Sequence, residues 1–231
     1  MTPRVPAERE GEGPGRGDSA PPRREWAAMA PDAPGPAGPE GIRSSVRGKY
    51  RAVARDPAGQ FPYPVGVEGL ARLGYDPAAV AALPPEVAGR FVGIGNPLSL
   101  RPAAPGERVL DAGCGCGADA FLSARAVGPS GRVVGVDLVP EMLEAPRAAA
   151  AAAGLRHLEF LEGDLERLPL PDGSFDLAIS NGALNLVPDK DAAYRELARV
   201  LRPGGVLAAA DLAVVASIPA ETLRDMDAWS S

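Results

Sequence analysis

The chain has 231 residues, of which 45% are hydrophobic and 5% aromatic, and its 24 Lys and Arg face 30 Asp and Glu for a formal net charge of −6. That length suits one large domain or two small ones, and the acidic balance excludes the basic footprint of a nucleic-acid or membrane-surface binder. The two cysteines, Cys114 and Cys116, are too close for a disulfide framework and fit a reducing, cytoplasmic setting.

No charged and then apolar leader opens the chain, and the apolar run Val206–Val215 is interrupted by Asp211, so neither a secretory signal nor a membrane span is expected. Residues 1–41 hold nine prolines and seven glycines with few large apolar side chains. Such a segment cannot bury enough surface to offset its ordering entropy, so it reads as a disordered tail. Met29, just before the composition changes, is a candidate for the true start.

From Ile42 a helical pattern begins, with Val46, Tyr50 and Val53 at helical spacing. Asp56-Pro57 and Phe61-Pro62-Tyr63-Pro64 break it. Short helices follow near Val67–Leu73 and Asp76–Leu83, the second with Asp76 as N-cap and Pro77 in its first turn. Pro84-Pro85 and Gly95-Asn96-Pro97 punctuate the remainder. Residues 42–104 therefore read as a helical cap.

After Pro105 short β-rich runs alternate with helical ones. Arg108–Ala112, Arg132–Asp137, Leu158–Leu161, Phe175–Ser180 and Val206–Asp211 are expected as strands; Ala118–Val127, Pro140–Ala153 and Asp189–Leu201 as helices. Alternation with nearly continuous apolar strands predicts an α/β fold, a doubly wound Rossmann-like parallel sheet covered on both faces, over residues 105–231. Pro146 falls inside the second helix, where a proline costs roughly 3 kcal/mol, so a kink or a late start is expected.

Gly113-x-Gly115-x-Gly117 sits where the first strand turns into its helix, allowing backbone to approach a ligand closely. Taken alone it also fits a dinucleotide fingerprint. Asp137 ends the second strand, placed to take ribose hydroxyls. Asp111 precedes the glycines, where a carboxylate suits a ligand with cationic groups and repels a pyrophosphate. S-adenosylmethionine, with an ammonium and a sulfonium, is such a ligand.

These residues carry a resemblance. "VLDAGCGCG", "VVGVDLVPEML", "FLEGDLERLPLPDGSFDLAISN" and "ELARVLRPGGVLAAAD" resemble, in order, the motifs of class I S-adenosylmethionine-dependent methyltransferases. The resemblance implies S-adenosylmethionine as cofactor, with Gly113, Gly115 and Gly117 lining its methionine part and Asp137 holding its ribose. Asp164 and Leu165 would contact adenine, and Asn181 would face the reaction centre. Asp111, Cys114, Leu138, Met142 and Gly163 complete the implied cofactor-binding set.

A narrower similarity, through "FPYPVGVEGLARLGYDP", "GIGNPLSL", "AVGPSGRVVGVDLVPEML" and "SNGALNLVPDK", is to the arsenite methyltransferase group, and it reaches back to about Ile42. In that group cysteine thiolates hold arsenic, soft ligands for a soft centre. Here Ile94 and Gly182 stand at positions where arsenite-methylating members carry Cys, and the chain ends before the region of another family cysteine.

His157 has no readable partner for base catalysis, so it reads as a surface or strand-edge residue. Cys114 and Cys116 lack the companions of a zinc site and read as small fillers, with no metal expected. No proton-transfer residue is expected, because a thiolate or similar acceptor needs only positioning. The family sheet has seven strands and five are readable, so the C-terminal strands are expected to be missing. The strand at Val206–Asp211 would then be an uncovered edge open to self-association. The leading reading is a methyltransferase with a small-molecule acceptor, and no nucleic-acid or membrane partner. A cofactor-binding fragment or partner-dependent subunit without catalysis, and an NAD(P)-dependent oxidoreductase, are the alternatives.

Overall fold

The computed structural model describes residues 38–212. The expectations for residues 1–37 and for the chain after residue 212 lie outside these. Five helices come first: α1 (Gly38–Arg55), α2 (Gly66–Arg72), α3 (Pro77–Ala81), α4 (Pro85–Ala88) and α5 (Pro97–Leu100). There follow β1 (Arg108–Ala112), α6 (Ala118–Val127), β2 (Arg132–Asp137), α7 (Pro140–Ala152), β3 (Leu158–Glu162), β4 (Phe175–Asn181), a 3-10 turn at Leu184–Leu186, α8 (Lys190–Val200) and β5 (Leu201–Ala210).

The five strands form one parallel sheet in the order β3-β2-β1-β4-β5. Alternate residues of each strand feed two cores. Val109, Val133, Leu177 and Ile179 pack toward α6 and α7, whereas Leu110, Val134 and Ala178 pack toward Leu197 and Val200 of α8. Continuous apolar strands are required because both faces are buried. The cap helices join the first core through Val53, Leu70, Val80, Leu83 and Val87. Their ends use local chemistry: Asp76 accepts from Ala78 and Ala79 N–H at the start of α3, and Asp189 accepts from Ala192 N–H at the start of α8.

Four expectations need correction. Helix α1 begins at Gly38, ahead of the expected tail boundary at residue 41, and its first-turn Glu40 pairs with Arg43 and Arg47. Helix α7 starts at Pro140 and continues past Pro146, so there is no late start. The ring of Pro146 is buried, with its Cβ 3.0 Å from where a Cβ on Gly117 would stand. Packing against the glycine loop offsets the lost backbone donor.

The fifth strand begins at Leu201 and not Val206, with a register break as Phe175 pairs with Leu201 and Leu177 with Val206. Pro203 has no N–H to donate, and Gly204 has φ +77, so the chain bulges between these pairs. The strand ends at Ala210, one residue before Asp211. Fourth, Pro84-Pro85 and Gly95-Asn96-Pro97, read only as punctuation, are helix starts: Pro85 and Pro97 each open a four-residue helix.

Candidate functional site

In an open parallel sheet the carboxyl ends of the strands border the crevice where ligands bind. Here that end carries a cleft walled by β1, β2 and β4 termini, the β3–β4 loop and α1. Its floor is backbone. Gly113 and Gly115 line it with φ +75 and +51, in the left-handed region that L side chains avoid. A Cβ on Gly113 would stand 2.2 Å from Ala183 Cβ, which no side chain could tolerate.

Asp137 and Leu138 line the same cleft. The Asp137 carboxylate accepts from Gly115 N–H at 2.8 Å and from Val139 N–H at 2.9 Å, so the second strand braces the glycine loop. Burial raises its pKa above the usual carboxylate range, opposed by these N–H groups. Asp164 and Leu165 form another part of the wall. Asp164 accepts from Glu166 N–H at 2.9 Å and from Arg43 Nε at 3.1 Å.

The other members of the implied set stand behind this lining. Gly117 meets the Phe160 ring, Met142 is buried with Cε 3.4 Å from a Cβ on Gly115, and Gly163 donates to Asp137 O at 2.9 Å. They shape the loops from behind. Cys114 and Cys116 are buried free thiols, and burial pushes Cys114 well up and Cys116 up to about 12, so neither is a ready thiolate. Asp111 lies beneath the loop, 2% exposed, with Oδ2 unpartnered.

Asn181 reaches the cleft wall, but its amide is occupied. Its Oδ1 accepts from Ile94 and Gly95 N–H, and its Nδ2 points at Gly95 O, Tyr75 Oη and Asp119 Oδ2. It fastens the 93–95 loop to the sheet. His157 Nε2 lies 3.0 Å from Ala124 O and does not line the cleft. No group of three His, Cys, Asp or Glu suited to a metal ion occurs among the described residues. No helix among them is long and apolar enough to cross a membrane.

Sequence reasoning missed one whole wall. Arg43, Val46 and Tyr50 of α1 face the cleft, together with Gly182, Ala183, Leu186, Val187 and Pro188 after β4. The signal for the first three was present as positions 43, 46 and 50, one face of a helix. Arg43 also binds Glu166, so α1 is pinned to the β3–β4 loop by two carboxylates.

Comparison with known proteins agrees with this geometry. Residues 103–230 match the family model described as a methyltransferase domain. An arsenite methyltransferase of Halobacterium salinarum is 38% identical over 203 residues, covering 82% of this chain and 52% of that protein. One from Aquipseudomonas alcaligenes is 42% identical over 135 residues, 55% of this chain and 38% of that one. The crystal structure of an arsenic(III) S-adenosylmethionine methyltransferase from Chlamydomonas reinhardtii superposes with a TM-score of 0.57 at 41% identity, covering 63% of this chain and 51% of its own. The chain thus spans about half the length, or less, of these relatives. A parallel sheet with a glycine floor, an acidic second-strand end and a matching family model together establish that the chain belongs to the methyltransferase domain family.

Proposed function

We propose that this protein is an S-adenosylmethionine-dependent methyltransferase that acts on a small molecule. The observation that carries the reading is the joint lining of one cleft by Gly113, Gly115, Asp137, Asp164 and Leu165. These residues fit the cofactor. Gly113 and Gly115 line the cleft with positive φ and no side chain, which suits close backbone approach, and the orphaned Asp111 Oδ2 beneath them suits a cationic rather than a pyrophosphate ligand. Asp137 would hold ribose hydroxyls and Asp164 with Leu165 the adenine, against apolar walls from Val46, Leu186 and Val187. When bound, the cofactor supplies an electrophilic methyl group on a sulfonium.

The chain's own contribution is positioning and exclusion of water, the main source of help for an in-line transfer. His157 is turned to a backbone carbonyl away from the cleft, so it is not placed to serve as a base there. Positions 94 and 182 are neighbours: a Cβ on Gly182 would stand 3.3 Å from Ile94 Cγ1. In place of two thiols this corner offers an apolar side chain and bare backbone, and Cys114 and Cys116 are buried and protonated. We therefore assign a small acceptor that needs no thiolate cage, rather than arsenite. Transfer of radiolabelled methyl groups to a panel of arsenite, thiols and small hydroxylated compounds tests this. Labelling of a non-arsenite acceptor supports it, whereas binding of S-adenosylhomocysteine without any transfer would favour a cofactor-binding protein.

Beyond Ala210 the β5 edge pairs with no further strand among the described residues, and Val206 and Leu212 are exposed. We read this edge as a surface for self-association. Sedimentation showing only monomer over a wide concentration range would contradict that. The two free thiols accord with a cytoplasmic setting.

A further inference from the structure

Two carboxylates lie under the glycine loop, and the reading above uses neither as a titrating group. Asp111 is the penultimate residue of β1 and is 2% exposed; Asp119 lies in the first turn of α6 and is 5% exposed. Their hydrogen bonding is unequal. Asp119 accepts from Tyr75 Oη at 2.7 Å and from Asn181 Nδ2 at 3.1 Å, whereas Asp111 leaves Oδ2 without a partner. Donors favour the ionised form of Asp119, while an ionised, unpartnered oxygen at Asp111 would carry the full cost of burial.

The groups that act on the pair come from every element around it. From the loop and the end of β2 come Cys114, Cys116 and Asp137, and from the cap comes Tyr75, all neutral or acidic; α6 gives Asp111 the Ala120 N–H, and β4 gives Asp119 the Asn181 amide. Two buried carboxylates among such neighbours cannot both ionise cheaply, because each raises the other's affinity for a proton.

We propose that Asp111 and Asp119 share one proton in the ligand-free protein, held on Asp111, and that docking of a cationic group above Gly113 expels it. The inference rests on the S-adenosylmethionine reading of the cleft. Burial, with Asp119 and Asp137 nearby, holds Asp111 well above the usual carboxylate range, and burial pushes Asp119 up to about 6 against its Asn181 and Tyr75 donors. A ligand ammonium over the loop stabilises the doubly ionised pair, so the proton leaves the pair for solvent as the ligand binds. Affinity therefore rises with pH while the free pair still holds its proton, by about tenfold per pH unit for one linked proton, and levels off above that range.

The test is calorimetric titration of the full chain with S-adenosylhomocysteine, which carries the ammonium without the sulfonium. It is run from pH 6 to pH 8 in two buffers of different ionisation enthalpy. The expected result is a buffer-dependent heat equivalent to release of up to one proton, falling away in Asp111→Asn. In parallel, infrared difference spectra of ligand-free protein should show a protonated carboxyl band that disappears in the same variant. Heats identical in the two buffers with normal binding would overturn the proposal. So would absence of the carboxyl band in wild-type protein, which needs no variant to fold. Failure of S-adenosylhomocysteine to bind at all would instead strike the cofactor reading, which the infrared arm does not depend on.

Discussion

The two ends of the same sheet treat their carboxylates in opposite ways. At the N-terminal end, Asp176 of β4 is gripped by Arg108 of β1, through N–H at 2.8 Å and Nε at 3.0 Å, and by Arg202 of β5. These donors hold it well below the usual carboxylate range. At the C-terminal end, Asp111 and Asp137 are raised by burial, and their named hydrogen-bond donors are backbone N–H groups. An acid satisfied by arginines closes a structure. A raised acid in the cleft lining, Asp137, and a buried one with an unpartnered oxygen beneath the floor, Asp111, mark a candidate ligand site.

That contrast is broken most forcefully at the floor. Gly113→Ala forces a Cβ onto Ala183 in a backbone region that alanine resists. Destabilisation by about 2 kcal/mol or more is expected, with loss of S-adenosylhomocysteine binding. Thermal melting and titration calorimetry check both, and an alanine variant that binds normally would remove the glycine floor from the account. Next, Asp137→Asn should weaken that binding by about 10- to 100-fold, since hydrogen bonds to a charged group carry about 1.5–3 kcal/mol. The melting transition should persist.

Asp176→Asn should do the reverse, leaving affinity unchanged and costing about 1 kcal/mol in denaturant titrations near pH 7. The figure is kept low because the Arg108 and Arg202 side chains are 43% and 46% exposed. Its pH dependence has a definite sign. The folded-state pKa is depressed, so the contribution is present above the unfolded value of about 3.9 and is lost as pH falls through the folded value. The Asp111 and Asp119 pair has the opposite sign: raised values oppose folding increasingly as pH climbs from about 4 through the folded values. The smallest effect is expected at Arg43→Ala, with binding weakened a few-fold and more at low salt than at high, because part-exposed ion pairs are screened.

The same physics explains what the sequence made legible. Strands β1 and β2 stand where continuous apolar runs put them, since burial on both faces leaves only one composition open to them. The Gly113–Gly117 loop and Asp137 were readable because their roles depend on chain-local spacing. The α1 wall was not. Arg43 meets Asp164 and Glu166 across 121 and 123 residues, and its face reads equally well as an ordinary core stripe. Tyr75, Asp119 and Asn181 converge from three separate elements, with no spacing that relates them. The start of β5 was obscured because Pro203 and Gly204 carry the signature of a turn, although the chain rejoins the sheet on either side of them.

The acids and glycines at the C-terminal end of the sheet are proposed to form an S-adenosyl cofactor site. This is tested most directly by titrating wild-type protein and Asp137→Asn with S-adenosylhomocysteine and, separately, with NAD. One saturable site per chain for S-adenosylhomocysteine, weakened in the variant, and no binding of NAD are expected. Folded wild-type protein that ignores S-adenosylhomocysteine, or that binds NAD in its place, would contradict it.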